Sequence, residues 1–126
     1  MRFLFSVLAL LGATGSAAAS DGTIPTRFHG EWAVRLTDCR SRGGENTQGM
    51  TIGARTIRRY EESVKIKRVT VLGRDNVRYE GILLHYDGEV PAGDTLRLSP
   101  DGARLLEAGF PDGPDRKASD LLRCAR

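Results

Sequence analysis

The sequence predicts an all-β fold: a single small antiparallel barrel or sandwich of about seven or eight short strands, closed by one disulfide. Three observations predict it. Apolar residues recur at every second position in many short segments that turn residues separate, which is the period of a half-buried strand. Long segments with helical periodicity are lacking. The 126-residue chain has two cysteines, Cys39 and Cys124, enough for one bridge.

The first 19 residues have the layout of a secretory signal peptide. Arg2 precedes a mainly apolar run at 3–11, and residues 17–19 are alanines, so we expect cleavage after Ala19. The apolar run is too short to span a bilayer. We therefore expect a periplasmic or secreted protein with a signal peptide at 1–19 and one domain at 20–126.

The two cysteines are expected to pair. In an oxidising compartment, an even pair most simply forms one structural disulfide. Joining Cys39 to Cys124 closes a loop of about 85 residues, and loop-closure entropy then gives a stabilisation of up to roughly 4–5 kcal/mol. A two-ligand metal site is the alternative, but no histidine is near either cysteine in sequence. A redox pair is more often C-x-x-C.

Short strands are predicted in the first part of the domain. Trp32, Val34 and Leu36 alternate with other residues and predict a half-buried first strand. Residues 50–52 and 56–60 predict two brief strands on either side of a short turn.

The next strand carries a change of parity. Apolar residues occupy even positions at 64 and 66 but odd positions at 69 and 71. A regular strand cannot keep both pairs on one face, because successive side chains point to opposite faces. The sequence therefore predicts a β-bulge near Lys67 and Arg68.

Residues 77–86 are the longest strand candidate. Turn residues at 87–88 and again at 91–94 are expected to break the chain after it. Two prolines and two glycines predict a loop at 109–114.

The last predicted hairpin joins residues 95–98 to residues 103–106. The sequence Ser-Pro-Asp-Gly at 99–102 places proline and glycine as a tight turn requires. We expect residues 120–126 to form a strand rather than a short helix, because strand pairing there returns Cys124 to the start of the sheet.

Trp32 and Arg123 are predicted to form a structural pair inside the barrel. If pairing of the first strand continues to Cys39, alternation places Trp32 opposite the cysteine face. Arg123 lies opposite Cys124 for the same reason. Both side chains then share the interior, where the guanidinium stacks on the indole.

The first strand also carries a resemblance. Gly30 and Trp32 form a Gly-x-Trp motif that resembles the opening of lipocalin-like (calycin) barrels. Trp–Arg stacking at the closed end is what that family implies. With Cys39 and the C-terminal Arg123-Cys124, the chain more closely resembles short exported proteobacterial proteins of unknown function. It is shorter than true lipocalins and lacks their second and third motifs.

Positive charge is concentrated in one segment of a chain whose net charge is only +3. Eight basic and three acidic side chains fall between residues 55 and 78, a net charge of +5 for that segment. On a strand, Lys65 and Lys67 point the same way. The sequence thus predicts a basic face able to attract an anionic partner, with an ordinary solvated surface as the alternative. The predicted residues of this basic face are Arg58, Lys65, Lys67, Arg68 and Arg78.

Catalytic chemistry has little support in the sequence. The two histidines, His29 and His85, belong to no motif of a hydrolase or a metalloenzyme. His29 and Glu31 could present two ligands on one strand face, but a metal site normally needs three or four. Glu61 and Glu62 are adjacent and point apart on a strand, unlike a glycosidase pair. We expect no catalytic residue, no cofactor and no metal.

The function predicted from these patterns is a non-enzymatic, secreted or periplasmic binding module. Its basic face would bind an anionic component of the cell envelope or a protein. There are two alternatives: an inhibitor of an enzyme such as lysozyme, and a lipocalin-like carrier of a small apolar ligand. Nucleic acid is not expected as a partner, because the protein is exported and aromatic stacking residues are few. We expect a monomer without a transmembrane segment.

Overall fold

The computed structural model of the chain describes residues 19–20, 22–108 and 119–124, so the predicted signal peptide up to residue 18 lies outside the described residues. No helix in this part of the chain is long and apolar enough to cross a membrane. Three single-turn 3-10 helices are present, at Thr26–Phe28, Leu36–Asp38 and Arg40–Arg42. The strands are β1 (Ala19–Ser20), β2 (Gly30–Ala33), β3 (Met50–Ile52), β4 (Thr56–Arg59), β5 (Glu62–Gly73), β6 (Asn76–His85), β7 (Gly88–Leu98), β8 (Arg104–Glu107) and β9 (Ser119–Arg123).

The strands form a closed barrel. Each strand from β2 to β8 pairs antiparallel with the next strand along the chain, and β9 returns to pair with β2. The result is an eight-stranded antiparallel barrel, which confirms the predicted fold class. The short β1 is a ninth strand that pairs with the second half of β5, through Ala19 with Thr70 and Ser20 with Val69.

The inward-facing side chains fill the barrel with one apolar cluster. Successive side chains along a strand point to opposite faces, so every second side chain points into the barrel. Ile24 and Phe28 come from the segment before β2 and are fully buried in the same cluster. The largest side chains without solvent contact are those of Trp32, Tyr79, Phe28, Ile24, Met50, Ile52, Ile57, Leu96, Leu105 and Leu121.

The predicted β-bulge in β5 is confirmed. The register between β5 and β6 shifts between Ile66 and Arg68, so Lys67 is the extra residue. Val64 and Ile66 before the bulge and Val69 after it are all buried, as the parity change required. Gly81 faces Ile66 across the ladder, and a Cβ at this position would collide with the carbonyl oxygen of Lys65. Glycine therefore permits the close approach of the two strands beside the bulge.

The first long strand is shorter than predicted. β2 ends at Ala33, and two 3-10 helices follow it instead of continued pairing. Val34 and Leu36, which were expected on the buried face with Trp32, are 41% and 38% exposed. Their alternation was therefore not a strand signal, because no neighbouring strand among the described residues pairs with them.

The predicted disulfide between Cys39 and Cys124 is present. The two Cα atoms are 5.8 Å apart, and the bridge joins the segment after β2 to the end of β9. Both cysteines are buried with Ala33 in a small cluster separate from the barrel interior. The bridge thus reinforces the seam at which the first and last barrel strands meet.

The prediction of a chain break at 91–94 was wrong. β7 runs without interruption from Gly88 to Leu98, and Pro91 lies opposite Ile82 of β6. Within the described residues, β7 pairs with β8 only from Leu96 to Leu98, so its first half has β6 as its single neighbour. Proline is tolerated in such a half-paired strand because its missing N–H interrupts no ladder on the free side.

Two other predictions in the C-terminal half are confirmed. The 99–102 turn joins β7 to β8, with the N–H of Gly102 donating to the carbonyl of Ser99 at 2.8 Å. The final segment is a strand, Ser119–Arg123, that carries Cys124 back to β2. The loop predicted at 109–114 lies outside the described residues.

One end of the barrel is sealed by Arg123. Arg123 is the direct register partner of Trp32, and its guanidinium lies 4.2 Å from the centroid of the indole ring. The same guanidinium donates to three main-chain carbonyls, those of Gly102, His29 and Arg27, at 2.9, 2.9 and 2.6 Å. We call this the closed end. A planar donor fork that also stacks on an aromatic ring satisfies all three carbonyls from one side chain.

Replacing Arg123 by lysine tests the closed end. Lysine keeps the charge but loses the planar fork, so we expect the free energy of unfolding to fall by about 2–3 kcal/mol. Urea denaturation of the oxidised protein measures this loss. Arg104→Lys is the matched control, because Arg104 forms an exposed ion pair with Asp120 and should change stability by about 0.5 kcal/mol or less. Equal losses in the two variants would contradict the role given to Arg123.

Candidate functional site

The structure has two further polar features. One is a group of ionisable side chains inside the barrel, and the other is a basic groove on its outer face. The groove extends from the turn at residues 60–61, between β4 and β5, to Arg55 in the turn between β3 and β4. Trp32 and Arg123 do not line it.

The interior group consists of Arg59, Tyr79, Asp94 and Glu107, one from each of β4, β6, β7 and β8. Arg59 forms an ion pair with Glu107 through both guanidinium amino groups. Tyr79 and Asp94 are register partners, and the N–H of Thr95 donates to the Asp94 carboxylate at 2.7 Å. Asp94 and Glu107 are only 6% and 5% exposed. Two nearly buried carboxylates therefore lie in one interior group, and the guanidinium of Arg59 pairs with that of Glu107.

Burial changes the proton affinity of this group. It raises the pKa of Asp94 to about 6, and the negative charge of Glu107 adds to the effect. Burial also raises the pKa of the Tyr79 hydroxyl to about 12. Burial disfavours the charged form of Arg59, but the nearby Glu107 carboxylate more than offsets this and raises its pKa. The Asp94 carboxyl thus changes charge near pH 6.

This interior group was not predicted from the sequence. Asp94 was assigned to a chain break, and Glu107 lay at the edge of a predicted hairpin with no role. A signal was nevertheless present, because Asp94 has the same parity as Leu96 and Leu98 in one continuous strand. Extending β7 back through Pro91 would have placed the carboxylate in the interior.

The basic groove is formed by two adjoining cavities of about 440 Å³ each. The linings of the two cavities share Ser63 and Leu84, so the cavities adjoin. The cations that line the first cavity are Arg40, Arg58 and Arg59, and those that line the second are Arg55, Lys65 and Lys67. Glu61 and Glu62 are the two carboxylates of the lining, both in the first cavity.

The register of three strands explains why these residues meet. Arg58 of β4 lies between Thr51 of β3 and Ser63 of β5, its two partners across the ladders. In the next row Lys65 of β5 is opposite Thr56 of β4. Partners across a ladder point to the same face, so basic and hydroxyl side chains alternate over the floor of the groove.

Among the described residues, the cations of the groove floor form no ion pairs. Within residues 22–108 and 119–124, no carboxylate lies within 4 Å of the charged groups of Arg58, Lys65 or Lys67. The same holds for Arg40 and Arg55. Exposed positive charges that lack internal partners are available to an anionic ligand.

The predicted basic face is divided by the structure. All five of its residues are exposed, and Arg58, Lys65 and Lys67 line the basic groove. Arg68 and Arg78 lie elsewhere on the barrel surface: Arg68 is the register partner of Glu80, two residues from Arg78 on β6. Arg40 and Arg55, which the sequence did not single out, take their place in the groove.

The two histidines have structural partners. The ring of His29 is hydrogen bonded to the carbonyl of Ile24 at 2.6 Å. His85 lies 3.6 Å from the carboxylate of Glu62 and 3.9 Å from that of Asp87, so it is not isolated from acidic groups.

The Glu31 carboxylate has two donors and two sulfur neighbours. It accepts hydrogen bonds from the main chain of Arg40 and the side chain of Asn46 at 2.8 and 2.9 Å. It also lies with the sulfur atoms of Cys39 and Cys124 within a 4.8 Å cluster. Because both sulfurs are bonded to each other, neither is available as a thiolate ligand. This cluster therefore belongs to the disulfide seam.

Comparison of the chain with models of known protein families, with curated proteins and with solved structures gives no match. The function is therefore inferred from the geometry of the groove and of the interior group.

Replacing Asp94 by asparagine tests the interior group through the pH dependence of stability. The folded-state pKa of about 6 exceeds the ordinary value of 3.8, so the folded protein holds a proton that the unfolded chain releases. This proton stabilises the fold fully below the ordinary pKa of 3.8. The stabilisation is lost as the pH rises to about 6, where the folded protein also releases the proton. The asparagine side chain stays neutral at every pH, so D94N should be more stable than the parent protein at alkaline pH by roughly 1 kcal/mol.

Urea denaturation from about pH 4 to about pH 8 measures the difference between the two proteins. The two proteins differ only at residue 94, so contributions from all other residues that the substitution leaves unchanged cancel in this difference. Asp120→Asn serves as the control, because Asp120 is exposed. Parallel stability curves for D94N and the parent protein would show that Asp94 has an ordinary pKa.

Proposed function

We propose that this protein is an exported, non-enzymatic binding module whose basic groove holds an anionic component of the cell envelope. The observation that carries the proposal is the set of cations on the groove floor, Arg58, Lys65 and Lys67, which have no carboxylate partner within the described residues. A concave site with an excess of positive charge attracts negatively charged ligands, and in this groove six cations exceed the two carboxylates of Glu61 and Glu62.

The chemistry of the lining supports an oxyanion as the bound group. Arginine donates two parallel hydrogen bonds to a carboxylate or phosphate, and lysine supplies a point charge. Thr51, Thr56 and Ser63 add hydroxyl donors beside these cations. This combination of charged and neutral donors is suited to oxyanions held at a solvent-exposed surface.

An exported location is consistent with the disulfide between Cys39 and Cys124. Structural disulfides persist in oxidising compartments such as the periplasm and the extracellular space. The apolar run and alanines of the predicted signal peptide support the same location. Envelope polymers and lipids that carry carboxylate or phosphate groups would therefore be accessible to the groove.

The barrel interior favours this outer site over a carrier function. Trp32, Phe28 and Tyr79 are fully buried and pack with aliphatic residues in one cluster. Above this cluster the described interior holds the ion pair between Arg59 and Glu107 rather than an apolar chamber. A carrier of a small apolar ligand needs a concave apolar site, which these side chains occupy.

Reversing the charge of Lys65 tests the proposal. Lys65→Glu should weaken binding to anionic envelope fragments by about tenfold, because it places a negative charge on the groove floor. Arg97→Glu is the matched control, since it makes the same change of net charge at an exposed position of β7 outside the groove. We expect that control to weaken binding by about twofold or less.

Co-sedimentation of the oxidised protein with purified envelope fragments at low and high salt measures both effects. Binding by the parent protein should fall as salt rises. Equal losses in the two variants would mean that net charge alone governs binding. Unchanged binding by Lys65→Glu would exclude the groove as the site.

A further inference from the structure

The two cavities of the basic groove lie side by side on the outer face of the sheet. They meet at Ser63 and Leu84 and together extend over the outer faces of β3, β4 and β5. A single phosphate or carboxylate group would fill only part of one cavity of about 440 Å³. The shape of the groove therefore fits a chain of linked units better than an isolated anion.

The cations are distributed along the groove rather than gathered at one point. Arg58 is opposite Ser63, and Lys65 is two residues further along β5, so Arg58 and Lys65 are diagonal neighbours. Diagonal neighbours in an antiparallel pair are roughly 7–8 Å apart. Lys67 continues the series at the bulge, and Arg40 extends it beyond β3. A ligand that meets these charges needs several anionic groups spaced along its length.

The remaining groove surface is suited to sugar units. Hydroxyls of Thr51, Thr56 and Ser63 alternate with the cations and can donate to or accept from the hydroxyls of a glycan. Tyr60 lines the first cavity and is 54% exposed. An exposed aromatic ring offers an apolar face to the C–H groups of a sugar ring and a hydroxyl to its polar edge.

An extended acidic peptide fits this groove less well. Peptides that bind to sheets gain affinity by adding a strand to a free edge. β3 and β4 pair on both sides, and β5 pairs with β4 and β6 along the groove, so the floor presents side chains only. Nucleic acid would need several aromatic rings for base stacking, whereas Tyr60 is the single aromatic residue of the described lining.

We propose that the basic groove binds a segment of an acidic polysaccharide of the envelope, with successive carboxylate-bearing sugars spanning both cavities. This inference rests on the proposed function and adds the chemical class and minimum length of the ligand. Arg40 and Arg58 hold anionic groups in the first cavity, and Lys65 and Lys67 hold them in the second.

Calorimetric titration of the oxidised protein with four probes tests the inference. The probes are galacturonic acid, a four-residue oligogalacturonate, a four-residue glutamate peptide and a short oligothymidylate. The oligogalacturonate should bind at least about tenfold more tightly than the monosaccharide, because a linked second unit binds at high effective concentration. The peptide and the oligothymidylate should bind more weakly than the oligogalacturonate.

Variants at the two ends of the groove sharpen the test. Arg58→Glu and Lys67→Glu should each reduce oligogalacturonate affinity to about that of the monosaccharide. The reason is that each new glutamate repels the anionic ligand from one of the two cavities, so that only one cavity still binds it. Arg97→Glu should retain the length dependence. Circular dichroism of each variant verifies that the barrel is folded.

The outcomes separate this inference from the proposed function. Equal affinities for the monosaccharide and the oligogalacturonate would overturn the two-cavity site. Tighter binding of the glutamate peptide would identify an acidic protein as the partner, and tighter binding of the oligothymidylate would identify a nucleic acid. If no probe binds but envelope binding depends on Lys65, the polysaccharide inference fails and the proposed function stands. If envelope binding is also independent of Lys65, both fail.

Discussion

The pairing of β2 with β9 is the interaction on which the rest of the structure depends. It converts a meander of antiparallel strands into a closed barrel, and closure removes the two free edges that an open sheet would present. Two contacts hold this seam from opposite sides. Arg123 stacks on Trp32 and binds three carbonyls on the inner side, and the Cys39–Cys124 bridge lies on the outer side. A single strand pair of two register positions would be weak without them.

Closure also separates two kinds of charge that are neighbours in sequence. Arg58 and Arg59 are adjacent on β4, but Arg58 points to the outer groove and Arg59 to the interior ion pair with Glu107. The inner charge is matched by carboxylates because an unpaired ion in a low-dielectric interior is very unfavourable. The outer charges have no such requirement, since water solvates them. Unpartnered cations can therefore persist only on the outer face, where they are available for binding.

The sequence predicted features that depend on local patterns. The change of the apolar residues from even to odd positions predicted the bulge near Lys67, and the proline and glycine at 99–102 predicted the hairpin turn. It failed where neighbouring strands decide the outcome. Val34 and Leu36 alternate like a strand but have no partner among the described residues, whereas Pro91 is accepted in β7 because one side there is unpaired. The groove was predicted only in part: Arg58, Lys65 and Lys67 were named from their strands, whereas Arg40 lies in a 3-10 helix and reaches the groove only through tertiary packing.

In the proposed mode of binding, the ligand lies on the outer face of the closed barrel and not in its interior. An NMR titration of the isotopically labelled, oxidised protein with oligogalacturonate distinguishes the two positions, because amide shifts report where the ligand lies. The largest changes are expected at Thr51, Arg58 and Lys65 on three adjacent strands, with small changes at Arg104 and Leu122 across the barrel. Changes centred on Tyr79 and Asp94 would place the ligand in the interior and would exclude the groove as the binding site.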